Sequence, residues 1–235
     1  MTKIIGFAGR KQAGKNTCCN YIVGRILKKY NRLTEFHINQ YGELCCTENK
    51  LCKDIEPNYV NIYSCADALK QLCINILGLT HEQCYGTNAQ KNSLTNIRWE
   101  DLPQYVEMLE MYNAGLSSVR SGYMLAREVL QEVGTGIFRR MYNNVWVDTL
   151  MRQIKRDGYK YALVADVRFP NEANGIKTAG GKVVRLTRAP FPEDTHVSEI
   201  SLDNYKDFDY ILDNKDLSIN ESLALLENQL QLWNL

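Results

Sequence analysis

Residues 4–17 read IIGFAGRKQAGKNT. The mostly apolar run up to Ala8 stops at Gly9, which predicts a short buried strand feeding a turn. Residues 9–17 fit the spacing G-x-x-x-x-G-K, with Asn16 where Ser or Thr is commonest. Cys18, Cys19, Ile22, Val23, Ile26, Leu27 and Tyr30 then recur at three-to-four spacing, which predicts an amphipathic helix. Strand, glycine loop and helix in that order form the context a phosphate-binding loop demands. Gly9 and Gly14 permit backbone geometry that side chains would block, turning N–H groups inward toward phosphate oxygens, and the helix start adds its partial positive charge. Lys15 has the reach to neutralise the β and γ phosphates. Asn16 offers an amide oxygen and Thr17 a hydroxyl, so the spacing leaves metal binding shared or water-mediated.

Outward from the loop, residues 36–39 and 43–46 resemble two short strands around the turn Gln40-Tyr41-Gly42, and residues 32–63 read as an inserted hairpin. Ser64 and Asp67 form an S-x-x-D start signal, and Leu69, Leu72, Cys73, Ile76 and Leu77 make an apolar stripe ending at Gly78. Residues 79–102 are polar and irregular. Pro103 opens a helix through Met111, and residues 123–133 and 138–156 supply two more, so residues 79–157 read as a helical region. Residues 161–165, YALVA, are continuous and apolar, which marks an interior parallel strand with the carboxylate of Asp166 just beyond its end. Pro170 begins a helix closed by Gly180-Gly181, residues 183–186 and 210–212 are further strands, and Ser218 with Glu221 caps the final helix. This alternation predicts an α/β sandwich around a parallel sheet with right-handed crossovers.

A chain of 235 residues suits one enlarged α/β domain. Apolar residues make up 45% and charged residues 23%, which excludes a disordered, collagenous or disulfide-scaffold class. With no run of about 18 apolar residues, neither a membrane span nor a signal peptide is expected, and the cytoplasm is the expected location. Residues 120–188 hold 13 Lys+Arg against 6 Asp+Glu, whereas residues 189–235 hold 2 against 10. A basic middle without a basic tail suits compact phosphates in a cleft better than nucleic acid; solvated helix faces are the plainer reading. All eight cysteines lie at or before Cys84, with no C-x-x-C pair. A zinc site from His37, Cys45, Cys46 and Cys52 is geometrically awkward, and reduced thiols acting as small hydrophobes are expected instead.

The loop, the segment SCADAL at 64–69 with Lys70, the segment REVLQEVGTGIFRR from Arg127, and VADVRFPNEA at 164–173 together resemble the bacteriophage deoxynucleoside monophosphate kinases. The resemblance covers most of the chain and is patchy over residues 31–63. It implies a three-layer P-loop NTPase fold, the reaction ATP + dNMP giving ADP + dNDP in DNA-precursor synthesis, Mg²⁺ with ATP, and neither nucleic-acid nor membrane partners; a homodimer stays open. It places Lys11, Gly14, Lys15, Asn16 and Thr17, with Gly9, at ATP. It places Lys70, Arg127, Gly134, Thr135, Trp146, Asp166, Arg168 and Glu172 around the monophosphate, and helix spacing adds Gln131. Lys15, Arg127 and Arg168 carry the catalytic expectation, and Thr17 and Asp166 the metal.

Physical sense accompanies each position. Arg127, Gln131 and Thr135 are spaced by four and share a helix face, where a guanidinium can fork onto phosphate. Gly134-Thr135-Gly136 reads either as a helix C-cap or as a close approach to ligand. Asp166 stands where open α/β sheets bind ligands, in a metal or sugar role or as a simple turn residue. Arg168 either bridges the two phosphates or pairs with Asp166 or Glu172. Trp146 either packs in the core or stacks on a base. Lys91 and Arg98 are lid candidates, and the run Arg185, Arg188, Asp194, His196, Glu199 looks like a family feature near the nucleotide. His196 has no catalytic role, because a phosphate acceptor is already anionic. Two competing readings are a kinase of another small metabolite, such as dephospho-coenzyme A, and a non-enzymatic nucleotide-dependent switch.

Overall fold

The protein is described by a computed structural model over residues 2–46, 59–115, 118, 120–191 and 200–235. It divides into two compact units, one of Met1–Ala66 with Trp146–Leu235 and one of Asp67–Val145. The second unit begins at Asp67.

In the first unit, β1 (Lys3–Ala8) leads to α1 (Lys15–Lys29), the hairpin strands β2 (Phe36–Ile38) and β3 (Leu44–Cys46), and the sheet strand β4 (Val60–Tyr63). In the second unit come α2 (Asp67–Asn75), α3 (His81–Tyr85), α4 (Asn88–Lys91), β5 (Leu94–Arg98), a 3-10 turn (Trp99–Asp101), α5 (Tyr105–Asn113), β6 (Tyr123–Leu125), α6 (Ala126–Gln131) and a π-helical stretch (Glu132–Arg139). The chain then completes the first unit with α7 (Val145–Asp157), β7 (Tyr161–Val167), α8 (Pro170–Thr178), β8 (Lys182–Leu186), β9 (Tyr210–Leu212) and the C-terminal helix Ile219–Leu232.

The main sheet has five strands in the order β4-β7-β1-β8-β9, every neighbouring pair parallel. Strand alternation explains its three layers. Ile5, Phe7, Leu163, Ala165, Val184 and Leu186 face one side, where they pack with Cys18, Cys19, Ile22 and Ile26 of α1 and Leu223, Leu226 and Leu230 of the C-terminal helix. Ile4, Ala8, Ala162, Val164 and Val183 face the other, against Leu150 and Ile154 of α7 and Ala173 and Ile176 of α8. Helices on both faces are why β1 and β7 read as unbroken apolar runs. The expected α/β sandwich with a parallel sheet is therefore present.

Two boundaries differ from the sequence reading. Residues 60–63, counted within the 32–63 hairpin, instead pair with Tyr161 to Val164 of β7 as an edge strand of the main sheet. Only Tyr63 of β4 is buried, so the segment lacks the apolar run that marks an interior strand. Strand β7 continues through Asp166 to Val167, so Asp166 lies within the strand, where its register with β1 shifts, rather than beyond its end. The hairpin itself is antiparallel with Phe36 opposite Cys46 and Ile38 opposite Leu44, as expected.

The second unit differs more. Residues 79–102, read as irregular, hold α3, α4 and β5; Thr80 with Gln83 and Thr87 with Gln90 form capping boxes that start the two short helices. Residues 123–125, expected to begin a helix, pair with β5 as a two-stranded antiparallel ribbon. Cys73, Leu79, Cys84, Trp99, Met124, Ala126, Val129 and Val133 form this unit's core. Gly134-Thr135-Gly136 is no C-cap: it lies inside the π-helical stretch.

Candidate active site

The loop between β1 and α1 is built on three residues with positive φ: Gly9 at 150°, Gln12 at 58° and Gly14 at 102°. A Cβ at Gly9 would lie 3.1 Å from the Leu186 carbonyl oxygen and 3.2 Å from Ala13 Cβ, so this position needs glycine on two counts. The turn closes with Ala13 N donating to Arg10 O at 3.1 Å. Lys15 is buried, and its Nζ donates to Gly9 O and Arg10 O, each at 2.7 Å, folding the ammonium back across the loop. Gly14 provides no capping side chain, and the first turn of α1 carries no acidic residue, leaving the dipole's positive end unneutralised by its own sequence. Such a helix start is a ready anion site.

The loop leaves the carboxyl end of β1, the middle strand of the sheet, where the chain order along the sheet changes direction; ligands of open α/β sheets bind at such a point. On the adjacent strand, Asp166 accepts from Ser64 Oγ at 2.8 Å and from Cys65 N at 3.1 Å. Lys15 and Asp166 both act on the buried Cys19 thiol, the aspartate raising and the lysine lowering its pKa. Burial dominates and holds Cys19 well above the ordinary thiol value; burial also pushes Cys18 up to about 12. Both thiols stay protonated at neutral pH and serve as apolar floor under the loop.

The remaining first-unit residues are placed as follows. Glu172 is 2% exposed, and its Oε2 accepts from Arg168 N at 2.8 Å and Phe169 N at 3.2 Å, capping α8 from its third position. Arg168 thereby has its backbone fixed one residue after β7. Trp146 is buried at the start of α7. Lys11 lies 5.7 Å from the Phe191 ring centroid. Asn16 is exposed at the helix start, while Thr17 is half-buried beneath the hairpin turn, where a Cβ on Gly42 would come within 2.2 Å of Thr17 Oγ1.

Within the second unit, Lys70 Nζ lies 3.8 Å from Asp67 Oδ1 and 4.3 Å from the Tyr85 ring centroid. Arg127 Nη2 donates to Asn88 Oδ1 at 3.2 Å. A Cβ on buried Gly134 would sit 2.6 Å from Leu69 Cδ2, so the Leu69 side chain of α2 packs against the π-helical stretch at this glycine. The π-helical turn also bears on the face shared by Arg127, Gln131 and Thr135. A step of four overshoots a 3.6-residue α turn and falls short of a turn bonded i to i+5. The steps 127 to 131 and 131 to 135 therefore drift in opposite directions around the helix axis. π-Helical turns are frequent at functional sites.

Sequence reasoning missed two parts of the loop's surroundings. Asp203 accepts from Arg10 at 2.7 Å and from Arg185 at 3.3 Å, joining the loop to β8. Asn214, just after β9, donates to Ala13 O at 2.9 Å. The only signal for Asn214 was position, a polar residue near a strand end; Asp203, in the connection between β8 and β9, gave none. Asp194, His196, Glu199 and Cys52 lie outside the described residues. Cys45 stands directly opposite His37 in the hairpin.

Sheet, glycine loop and flanking helices together define a three-layer α/β protein, an arrangement consistent with a P-loop kinase fold. No protein-family model matches the chain. Over 220 residues, 90% of this chain and 88% of the other, it is 27% identical to a protein of Acanthamoeba polyphaga mimivirus named "Putative deoxynucleotide monophosphate kinase". No helix among the described residues is long and apolar enough to cross a membrane.

Proposed function

We propose that this chain is a deoxynucleoside monophosphate kinase, moving the γ-phosphate of ATP to a dNMP to give ADP and dNDP. The observation that carries the reading is the glycine loop at the end of the middle strand, with Lys15 folded across it at 2.7 Å from two loop carbonyls. Support for the acceptor comes from the mimivirus relative's name and from the resemblance to phage kinases.

In this reading the amides at the start of α1 and the Lys15 ammonium hold the β and γ phosphates of ATP, and charge stabilisation rather than covalent chemistry does most of the work. Lys15 shifts from the Gly9 and Arg10 carbonyls to the migrating phosphoryl group. Arg168 and Arg127 spread the charge that develops, while Lys70, Gln131, Thr135, Gly134, Trp146 and Glu172 complete recognition of the acceptor, directly or by holding those that touch it. The acceptor oxygen is already anionic, so no general base is required.

Magnesium fits the donor set. Asp166 and Thr17 present hard oxygen atoms, and a carboxylate that accepts two hydrogen bonds keeps acceptor capacity for a metal or its bound water. When bound, Mg²⁺ neutralises charge on the β and γ oxygens. A coupled ADP-release assay with dGMP, dTMP, dCMP, dAMP and their ribose counterparts tests the proposal. Release with at least one deoxynucleotide is expected; release with none of them would reject it and favour a hydroxyl-bearing acceptor such as dephospho-coenzyme A.

A further inference from the structure

Asn214 is 2% exposed and sits directly after β9. Its side-chain amide is fully engaged: Nδ2 donates to Ala13 O at 2.9 Å and Oδ1 accepts from Arg188 N at 3.0 Å. These partners fix which end of the amide is which, because a backbone N–H only donates and a carbonyl only accepts. The backbone is gripped as well. Asn214 N donates to Thr187 Oγ1 at 3.1 Å, Arg188 Nε donates to Asn214 O at 3.2 Å, and Arg188 Nη2 donates to Leu217 O. Thr187 Oγ1 in turn donates to Asp213 Oδ1 at 2.6 Å. A buried, satisfied polar network of this kind rigidifies what it touches.

What it touches is the peptide between Ala13 and Gly14. In a planar trans peptide the C=O and the following N–H point in opposite directions. Tying Ala13 O to a buried amide on the core side therefore turns Gly14 N–H to the opposite side, the inside of the loop. Gly14 allows this with φ of 102°, and Ala13 is itself fully buried, so the peptide plane has little freedom left. We propose that Asn214 is a positioning residue of the phosphate loop: it holds the Ala13–Gly14 peptide so that Gly14 N–H donates to a bound phosphate. The proposal rests on the loop binding a phosphate chain and needs no particular acceptor.

Asn214→Asp is the test, because it keeps shape and the bond from Arg188 N while replacing the donor to Ala13 O by a repelling oxygen. Calorimetric titration of the full chain with inorganic tripolyphosphate and Mg²⁺ reads the phosphate contacts alone. We expect a dissociation constant raised about tenfold or more, with dNMP affinity and cooperative melting retained. A folded Asn214→Asp protein that binds tripolyphosphate within about twofold of the parent, or that loses both ligands in parallel, overturns the proposal. If that variant does not fold, Asn214→Ser is judged by the same two outcomes. A parent protein that binds tripolyphosphate but no dNMP rejects the kinase reading alone, since the tripolyphosphate comparison still decides the role of Asn214.

Discussion

Replacing Gly42 by alanine should destabilise the sheet unit by about 2–5 kcal/mol, from two separable sources. Gly42 has φ of 80°, a left-handed conformation that costs an L-residue about 1–2 kcal/mol. The new Cβ would stand 2.2 Å from Thr17 Oγ1, 3.2 Å from Thr17 Cβ and 3.4 Å from Thr17 Cγ2, overpacking of a kind worth about 1–3 kcal/mol. The turn cannot simply lift away, since Asn20 Nδ2 donates to Gly42 O at 2.9 Å and Asn39 Oδ1 accepts from Tyr41 N and Glu43 N. A double-mutant cycle separates the sources. Thr17→Ala removes the hydroxyl and the methyl, so adding it to Gly42→Ala should recover the packing part and leave the backbone part. Urea unfolding with a shared m-value reads both. A Gly42→Ala cost below about 0.5 kcal/mol, or no coupling to Thr17, would refute the reasoning that the hairpin turn is seated on the first two turns of α1.

Glu172→Gln should cost about 1–3 kcal/mol by weakening two amide bonds to a buried carboxylate, with α8 the first element to lose hydrogen-exchange protection. Asp166→Asn should lower turnover well over tenfold while its Oδ1 still accepts from Cys65 N and its Nδ2 donates to Ser64 Oγ instead of an oxygen accepting from it, with a small change in the melting transition, which kinetics and calorimetry on one preparation would check. The hydrogen bond from Arg98, with Gly122 N–H also donating, holds the Glu100 carboxyl at about 2. A depressed carboxylate pKa contributes stability that is full above the unfolded value of about 4.3 and lost as pH falls toward the folded value. Acid titration followed by NMR should therefore show the Gly122 amide shift in a transition centred near pH 2, and a transition centred near the ordinary carboxylate value of about 4.3 would contradict the assignment.

The first unit was legible because its signals are local. An apolar run buried on both faces, a glycine loop and an amphipathic helix can each be read within about fifteen residues, and β1, α1 and β7 follow directly. Strand β4 escaped because an edge strand has only one paired side and few buried residues, so VNIY carries little apolar pattern. The second unit was read less well. Thr80-x-x-Gln83 and Thr87-x-x-Gln90 were visible capping signals, but the helices they start are too short for periodicity to register. The π-helical stretch around Gly134 packs against Leu69 of α2, a contact between residues far apart in sequence. Asn214 and Asp203 reach the loop by the same route: the fold returns β8 and β9 beside β1, and no spacing within the chain announces that.

The most direct measurement follows the fate of the γ-phosphate itself. Purified chain is incubated with γ-labelled ATP, Mg²⁺ and each deoxynucleoside monophosphate, beside a Lys15→Met variant of matched thermal stability. Label should pass to a deoxynucleoside diphosphate with the parent protein and fall by about a thousandfold or more with the variant, since the transferring group loses the ammonium that meets it. Label that stays on ATP or appears only as free phosphate, or equal transfer by the two proteins, would contradict the account.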